Sequence, residues 1–296
     1  MDDTYEILYD LPAGRYEGAG VSGIRTKTVR SGALLEVMAF PIAPMTAAAR
    51  REAKRRRTGP AQARLNARNA QRHMERLIEC NFSRDDHVVT LTYAYPAEDR
   101  GLTSMAIMQQ AYERAGVPWS LEEAARDFRN FMARVRRAEK RAGGDPKAVK
   151  YLYVIESGKA PSGGGLPCKY HVHAVIRAPG LLPEQLREIW GRGFTRCDRL
   201  ELRYGGAARL SKYMTKQQRY ERRWGHSRGM VMPTVTVSDR KLSRRRAARV
   251  ASDVIAYGRQ VFEAVWPGYR CDEDPVVTWS DFRPGAYIYA RLRRRE

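Results

Sequence analysis

Read as alternating and periodic runs, the chain divides into short β-type segments separated by amphipathic helical ones. Residues 86–93, Asp-His-Val-Val-Thr-Leu-Thr-Tyr, alternate polar and β-branched positions and are stopped by Pro96. This pattern predicts a strand with Val89 and Leu91 towards a core and Thr90 and Thr92 together on the other face, where they can line a site. Ser120 ahead of Leu121-Glu122-Glu123 has the form of a helix cap with Glu123 at the capping-box position. Phe128, Phe131, Met132 and Val135 then recur at helical spacing until Gly143-Gly144 ends the run. Residues 150–156 read as a second strand, 157–165 as a glycine-rich loop and 169–176 as a third strand. A short helix over 183–190 and a strand over 193–204 follow. Further on come a helix from 207 to about 220, a loop over 224–233, a basic helix over 242–265 and a final strand over 286–292. At the other end, residues 1 to about 47 predict a small β-rich extension. Residues 47–78, rich in Ala, Arg, Gln and Asn and including Arg55-Arg56-Arg57, predict solvated helices broken at Gly59-Pro60. Strands alternating with helices suit a layered α/β or α+β core, and several strands with short connections favour a mainly antiparallel sheet.

Charge changes this picture from a generic fold to one with a partner. The 296 residues hold 54 Lys and Arg against 33 Asp and Glu, a formal charge of +21, which is far beyond what solubility requires. A polyanion is the default partner at that charge. A membrane is not expected, because the apolar stretch 33–45 contains Glu36, Pro41 and Pro44 and is too short to span a bilayer. The acidic start, Met1-Asp2-Asp3, does not read as a secretory or transit signal, so a cytoplasmic location is expected. Cys80, Cys168, Cys197 and Cys271 are scattered without a Cys-x-x-Cys pair, which fits reduced, buried or half-buried thiols. No Gly-x-x-x-x-Gly-Lys pattern is present in the glycine-rich loop.

The candidate chemistry begins in the third strand. In Lys169-Tyr170-His171-Val172-His173, alternation puts His171 and His173 on one face, where two imidazoles can hold one metal ion. Glu156 closes the preceding strand, and consecutive strands are usually neighbours, so a carboxylate joins the pair. Mixed His and Glu ligation suits Mn2+ or Mg2+ bridging to a phosphate oxygen, with zinc an alternative. Further along, Tyr213-Met214-Thr215-Lys216 places a phenol and an ammonium three positions apart on a helix, hence on one face. A tyrosine is a competent nucleophile towards a phosphodiester once the phosphate is neutralised. Among 16 tyrosines the Tyr-x-x-Lys pattern alone carries little. His87 falls by parity with Val89 and Leu91 and reads as a packed histidine. Trp190 reads as core, and Trp224 reads equally as core or as a surface for unpaired bases.

The order of these motifs carries the resemblance. A strand Val-Thr-Leu-Thr-Tyr, an upstream Glu, His-hydrophobe-His and then Tyr-x-x-Lys resembles the HUH endonucleases, the rolling-circle replication initiators of plasmids and single-stranded DNA viruses. The likeness is greatest to replication-associated proteins of small phages and bacterial mobile elements. Asn81-Phe82, Gly191, Lys212, Trp224, Ser227 and Pro233 also look like that group. The resemblance implies an α+β fold, a palm-like nuclease domain whose antiparallel sheet of about five strands has flanking helices. It implies His171, His173 and Glu156 as ligands of Mn2+ or Mg2+, Tyr213 as nucleophile and Lys216 as its phosphate-orienting partner. Thr90, Thr92, Lys212, Trp224 and Arg228 are expected against DNA. Tyr220, seven residues after Tyr213, is the position a second catalytic tyrosine would take, although a single-tyrosine enzyme is favoured.

The expected organisation is an N-terminal extension over 1–79, basic in its second half, a nuclease core over 80–230, and a basic helix and strand over 231–296 completing or extending that core. The expected activity is metal-dependent nicking of single-stranded or stem-loop origin DNA through a 5′-phosphotyrosine, with rejoining, in a bacterial host cell. A host helicase and polymerase would act with it, since no Walker A motif is present. A transposase or relaxase of a mobile element would use the same chemistry. A non-catalytic DNA-binding protein would need none of it. Residues 1–79 would either recognise duplex origin DNA or cover a sheet edge.

Overall fold

In the strand 87–92, β-branched residues on one face and threonines on the other can be satisfied only if the two faces meet different surroundings. The computed structural model, which describes residues 21–42, 59–95, 104–157, 170–202, 206–214, 222–280 and 283–295, shows both surroundings. The chain forms two units, one of residues 81–231 and one that joins residues 1–80 to 232–296. The first unit holds β3 (His87–Thr92), β4 (Lys150–Ser157), β5 (Tyr170–Arg177), β6 (Thr195–Arg199) and β7 (Arg222–His226), numbered after β1 and β2 of the second. These five make one antiparallel sheet in the order β6-β3-β5-β4-β7.

One face of that sheet is the core face. Val89, Leu91, Val172, Ala174, Ile176 and Ile155 meet Phe128, Phe131, Met132 and Val135 there, and Leu186 and Trp190 complete the layer. Those aromatic and aliphatic residues lie on α3 (Leu121–Arg141) and α4 (Pro183–Trp190), with α2 (Met105–Ala115) supplying Met108 and Tyr112. The start of α3 is set by the predicted capping box: Ser120 Oγ accepts from the Glu123 amide at 3.2 Å while Glu123 accepts from the Ser120 amide. Trp190 is fully buried and its Nε1 donates to the Thr92 carbonyl at 2.8 Å. His87 is buried as expected, and burial together with Arg199 pushes its imidazole below the usual range.

The second unit contains β1 (Gly23–Ser31), β2 (Leu34–Ile42), α1 (Gly59–Asn81, whose last residue belongs to the first unit), β8 (Thr234–Ser238), α6 (Arg244–Ser252), α7 (Val254–Val265), β9 (Tyr269–Cys271), β10 (Val276–Ser280) and β11 (Arg283–Arg294). Its sheet runs β10-β11-β2-β1-β8, and β9 pairs with β11. Between β1 and β2, Gly32 has φ +58°, and a Cβ there would collide with the Glu79 carbonyl. The face with Leu35, Val37, Ala39, Ile288 and Leu292 packs on apolar residues of α6 and α7. The opposite face meets α1 through ion pairs: Arg76–Glu36 at 2.6 Å, Arg291–Glu75 at 2.5 Å and Arg293–Glu79 at 2.9 Å.

Several expectations change. Residues 231–296 do not complete the nuclease-type sheet: from 232 on they build the second sheet with residues 1–80. The segment 224–233, read as a loop, begins inside β7, which pairs with β4 and supplies the fifth strand. The helix read over 242–265 is two helices, because Asp253 has φ −152° and its carboxylate accepts from the Ile255 and Ala256 amides, capping α7. The strand read over 193–204 is confined to β6. Residues 1–20, Arg55-Arg56-Arg57, the glycine-rich loop beyond Ser157, and Cys168 lie outside the described residues. Cys80, Cys197 and Cys271 are free thiols. Among the described residues, no helix is long and apolar enough to cross a membrane.

Candidate metal centre

The face of the five-stranded sheet turned away from α3 carries the polar positions of every strand, and register puts them in rows. Thr92 pairs with His171 and His171 with Glu156, while in the next row Arg196 pairs with Thr90, Thr90 with His173, His173 with Val154 and Val154 with Trp224. Residues directly opposite in an antiparallel pair project to the same side. Glu156, His171 and His173 therefore converge for the two reasons anticipated: alternation within β5 and adjacency of β4.

Their ligand atoms all lie within 4.8 Å of one another. Glu156 and His173 are buried and the His171 side chain is 25% exposed, so the cluster has one open side. His171 Nε2 stands 3.9 Å from Glu156 Oε2, and the two imidazoles meet edge to face with centroids 4.8 Å apart. Octahedral ligands at about 2.1 Å from one ion are about 3 Å apart when adjacent and about 4.2 Å when opposite, so small side-chain rotations bring this set onto a single cation. Two neutral imidazoles and one carboxylate suit a divalent ion of borderline to hard character. The donor set fits.

Thr90 Oγ1 lies 3.1 Å from His173 Nδ1. A ligand role for His173 fixes the tautomer: Nδ1 carries the hydrogen and donates it to Thr90, and Nε2 offers its lone pair to a cation. Thr90, expected to face DNA, is thus placed behind a ligand. Thr92 also turns inward, its hydroxyl donating to the Phe194 carbonyl at 3.0 Å.

The remaining expected residues are spread around this cluster. Trp224 is on β7 and 41% exposed, which favours a surface role over core packing. Arg228 is exposed in the turn after β7. Lys212 is exposed on α5 (Gly206–Met214), whose buried positions are Ala207, Ser211 and Met214. The backbone of Tyr213 belongs to α5, while its side chain, Lys216 and Tyr220 lie outside the described residues.

One residue was missed by sequence reasoning. Phe194 continues the register of β6 opposite Thr92, so it stands in the row of His171 and Glu156, and it is 70% exposed. Two strand spacings of about 4.8 Å put it about 10 Å from His171, and Trp224 stands two strands from His173 on the other side. Gly193 lets this edge approach: a Cβ there would lie 2.5 Å from the Thr92 carbonyl. A Phe after Arg-Gly carries no motif; only its register position marks it.

Residues 86–218 match a family model of replication-associated proteins, the ORF2 type, over a span that lies within the first unit and includes Glu156, His171, His173 and Tyr213. No curated protein and no solved structure matches the chain. Through residues 86–218, which carry the His-x-His strand and its carboxylate, the chain is assigned to the Rep/HUH-type replication-associated proteins.

Proposed function

We propose that the first unit is a palm-like HUH nuclease domain and that the protein initiates rolling-circle replication by nicking and rejoining single-stranded or stem-loop origin DNA. The observation that carries this reading is the convergence of Glu156, His171 and His173 on the open face of a five-stranded antiparallel sheet, inside the span matching the replication-associated family. A divalent ion, Mn2+ or Mg2+, held by these three side chains supplies a positive charge against the scissile phosphodiester. Thr90 holds the His173 ring in the orientation that keeps Nε2 towards the site. Phe194 and Trp224, exposed on either side, offer faces on which unpaired bases stack and so position the strand across the site.

Tyr213 is the nucleophile in this reading. Its phenol oxygen forms a bond to phosphorus as the bond from phosphorus to the 3′ oxygen breaks, and the departing 3′ oxygen takes up a proton. The products are a 5′-phosphotyrosine and a free 3′-hydroxyl, with Lys216 neutralising and orienting the phosphate. The 3′-hydroxyl primes a host polymerase, a host helicase opens the duplex, and attack of a 3′-hydroxyl on the phosphotyrosine rejoins a strand. The work is done in the cytoplasm of a bacterial host.

The test is cleavage of a pool of single-stranded oligonucleotides with and without Mn2+. Parent protein is expected to cleave only with the ion, and His171→Ala and Tyr213→Phe to lose at least about 100-fold in rate, in line with the loss of an electrostatic stabiliser or nucleophile. Cleavage by His171→Ala at the parent rate would overturn the assignment.

A further inference from the structure

On the side of the first unit that carries α3 and α4, four guanidinium groups line one cleft of about 620 Å3: Arg134, Arg137, Arg141 and Arg192, with Glu188 the sole acidic residue of the lining. Arg134, Arg137 and Arg141 are three and four positions apart on α3 and therefore share a face. Two of the four are held in place. Arg134 Nε donates to the Ile189 carbonyl at 3.1 Å, and Arg192 donates to the Gly116 carbonyl at 2.9 Å and pairs with Asp127 at 3.2 Å. Arg137 and Arg141 are exposed. Like charges gathered this way repel: burial first, then Arg192 and Arg137, push the Arg134 guanidinium below its usual range. An anion in the cleft offsets that repulsion.

The spacing selects the kind of anion. From Arg134 to Arg141 the helix rises about 10 Å, at about 1.5 Å per residue, longer than one phosphate and long enough for successive phosphates of a nucleic-acid backbone. The cleft is also continuous with the candidate site, because Arg192 lines it and Phe194, two residues on, stands in the row of His171. We infer that this cleft binds the phosphodiester backbone of the DNA strand flanking the nick site, after that strand passes round the β6 edge of the sheet.

This inference rests on the nickase reading, and its test keeps the two apart. Arg137→Gln with Arg141→Gln is compared with Arg126→Gln with Arg129→Gln, a pair of exposed arginines on the same helix outside the cleft. Affinity is measured across salt concentrations for a short single-stranded oligonucleotide covering only the nick site and for one extended on both sides. The cleft pair should bind the extended strand several-fold more weakly and lower its salt slope by about 1.4, the value for two lost single-strand phosphate contacts, while leaving the short strand unchanged. The outer pair should alter neither slope by as much. Equal losses from the two pairs, or a loss from the cleft pair on the short strand alone, would overturn the inference. Formation of the covalent adduct by the cleft variant on the short strand reads the nickase reaction separately, so either claim can fail without the other.

Discussion

Thr90 is held against His173 by a 3.1 Å hydrogen bond, and nothing else about the threonine ties it to the chemistry. Thr90→Val keeps the shape and removes the bond. Partners behind a metal-bound histidine are typically worth about 10–100-fold in affinity, so Mn2+ titrated into Thr90→Val should bind about 10–100-fold more weakly. Equal affinity would show that the ring needs no such support. Phe194 predicts a different signature. With its ring 70% exposed, Phe194→Ala should leave thermal stability unchanged and weaken single-stranded DNA binding by about 1–3 kcal/mol, the usual worth of one stacked base. Unaltered binding would remove Phe194 from the interface. At this scale the sequence was informative where geometry is local: alternation put His171 and His173 on one face and His87 on the other. It was silent on Thr90 and Phe194 because their roles depend on which residue lies across the sheet, and register is a property of two strands.

Among the elements, β3, β4, β5 and α3 were legible because each carries its own period or cap. β7 was not, since Arg222-Arg223-Trp224-Gly225-His226 has no alternating apolar face and contains a glycine; pairing with β4 makes it a strand. The break at Asp253 was hidden because apolar residues continue at helical spacing on both sides of it. In the second unit, α1 is fastened to its sheet by buried charge, and this gives a pH prediction. Burial alone would raise the Glu36 carboxyl, but Arg76 beside it and the Tyr289 hydroxyl at 2.6 Å hold it below the ordinary 4.5. A lowered folded value means that the contribution to stability is present above the unfolded value and lost as pH falls through the folded one. Chemical denaturation of the second unit should therefore show a loss on acidification below about pH 4.5 that Glu36→Gln flattens. Glu36→Gln should also cost about 3–5 kcal/mol at neutral pH by leaving Arg76 buried without its partner. A cost under about 1 kcal/mol, the range of an exposed ion pair, or an acid profile identical to the parent's, would contradict this account.

At the scale of the whole molecule, the chain leaves the second unit at Cys80 and re-enters it at Met232. Its sheet pairs β1 with β8 and β2 with β11, segments some two hundred residues apart, which no local pattern can disclose. Residues 1–79 are therefore more than a cover for an edge: β2 lies between β11 and β1 in the middle of the sheet. Removing residues 1–79 should unfold residues 232–296 and open them to rapid proteolysis, whereas a protease-resistant C-terminal segment would argue that the two stretches fold independently. The net charge of +21 is a property of the entire chain and accounts for affinity towards a polyanion without accounting for a reaction. Reaction belongs to the site, and the claim about it is chemical: a tyrosine of this chain becomes covalently joined to the 5′ side of a cut strand. Incubation with Mn2+ and an origin-type oligonucleotide, followed by denaturation, proteolysis and mass spectrometry of the peptides, tests that claim directly. The expected result is a nucleotide-bearing peptide mapped to Tyr213, absent when Mn2+ is omitted and absent from His173→Ala; cleavage with no protein-linked nucleotide, or an adduct mapped to another residue, would contradict it.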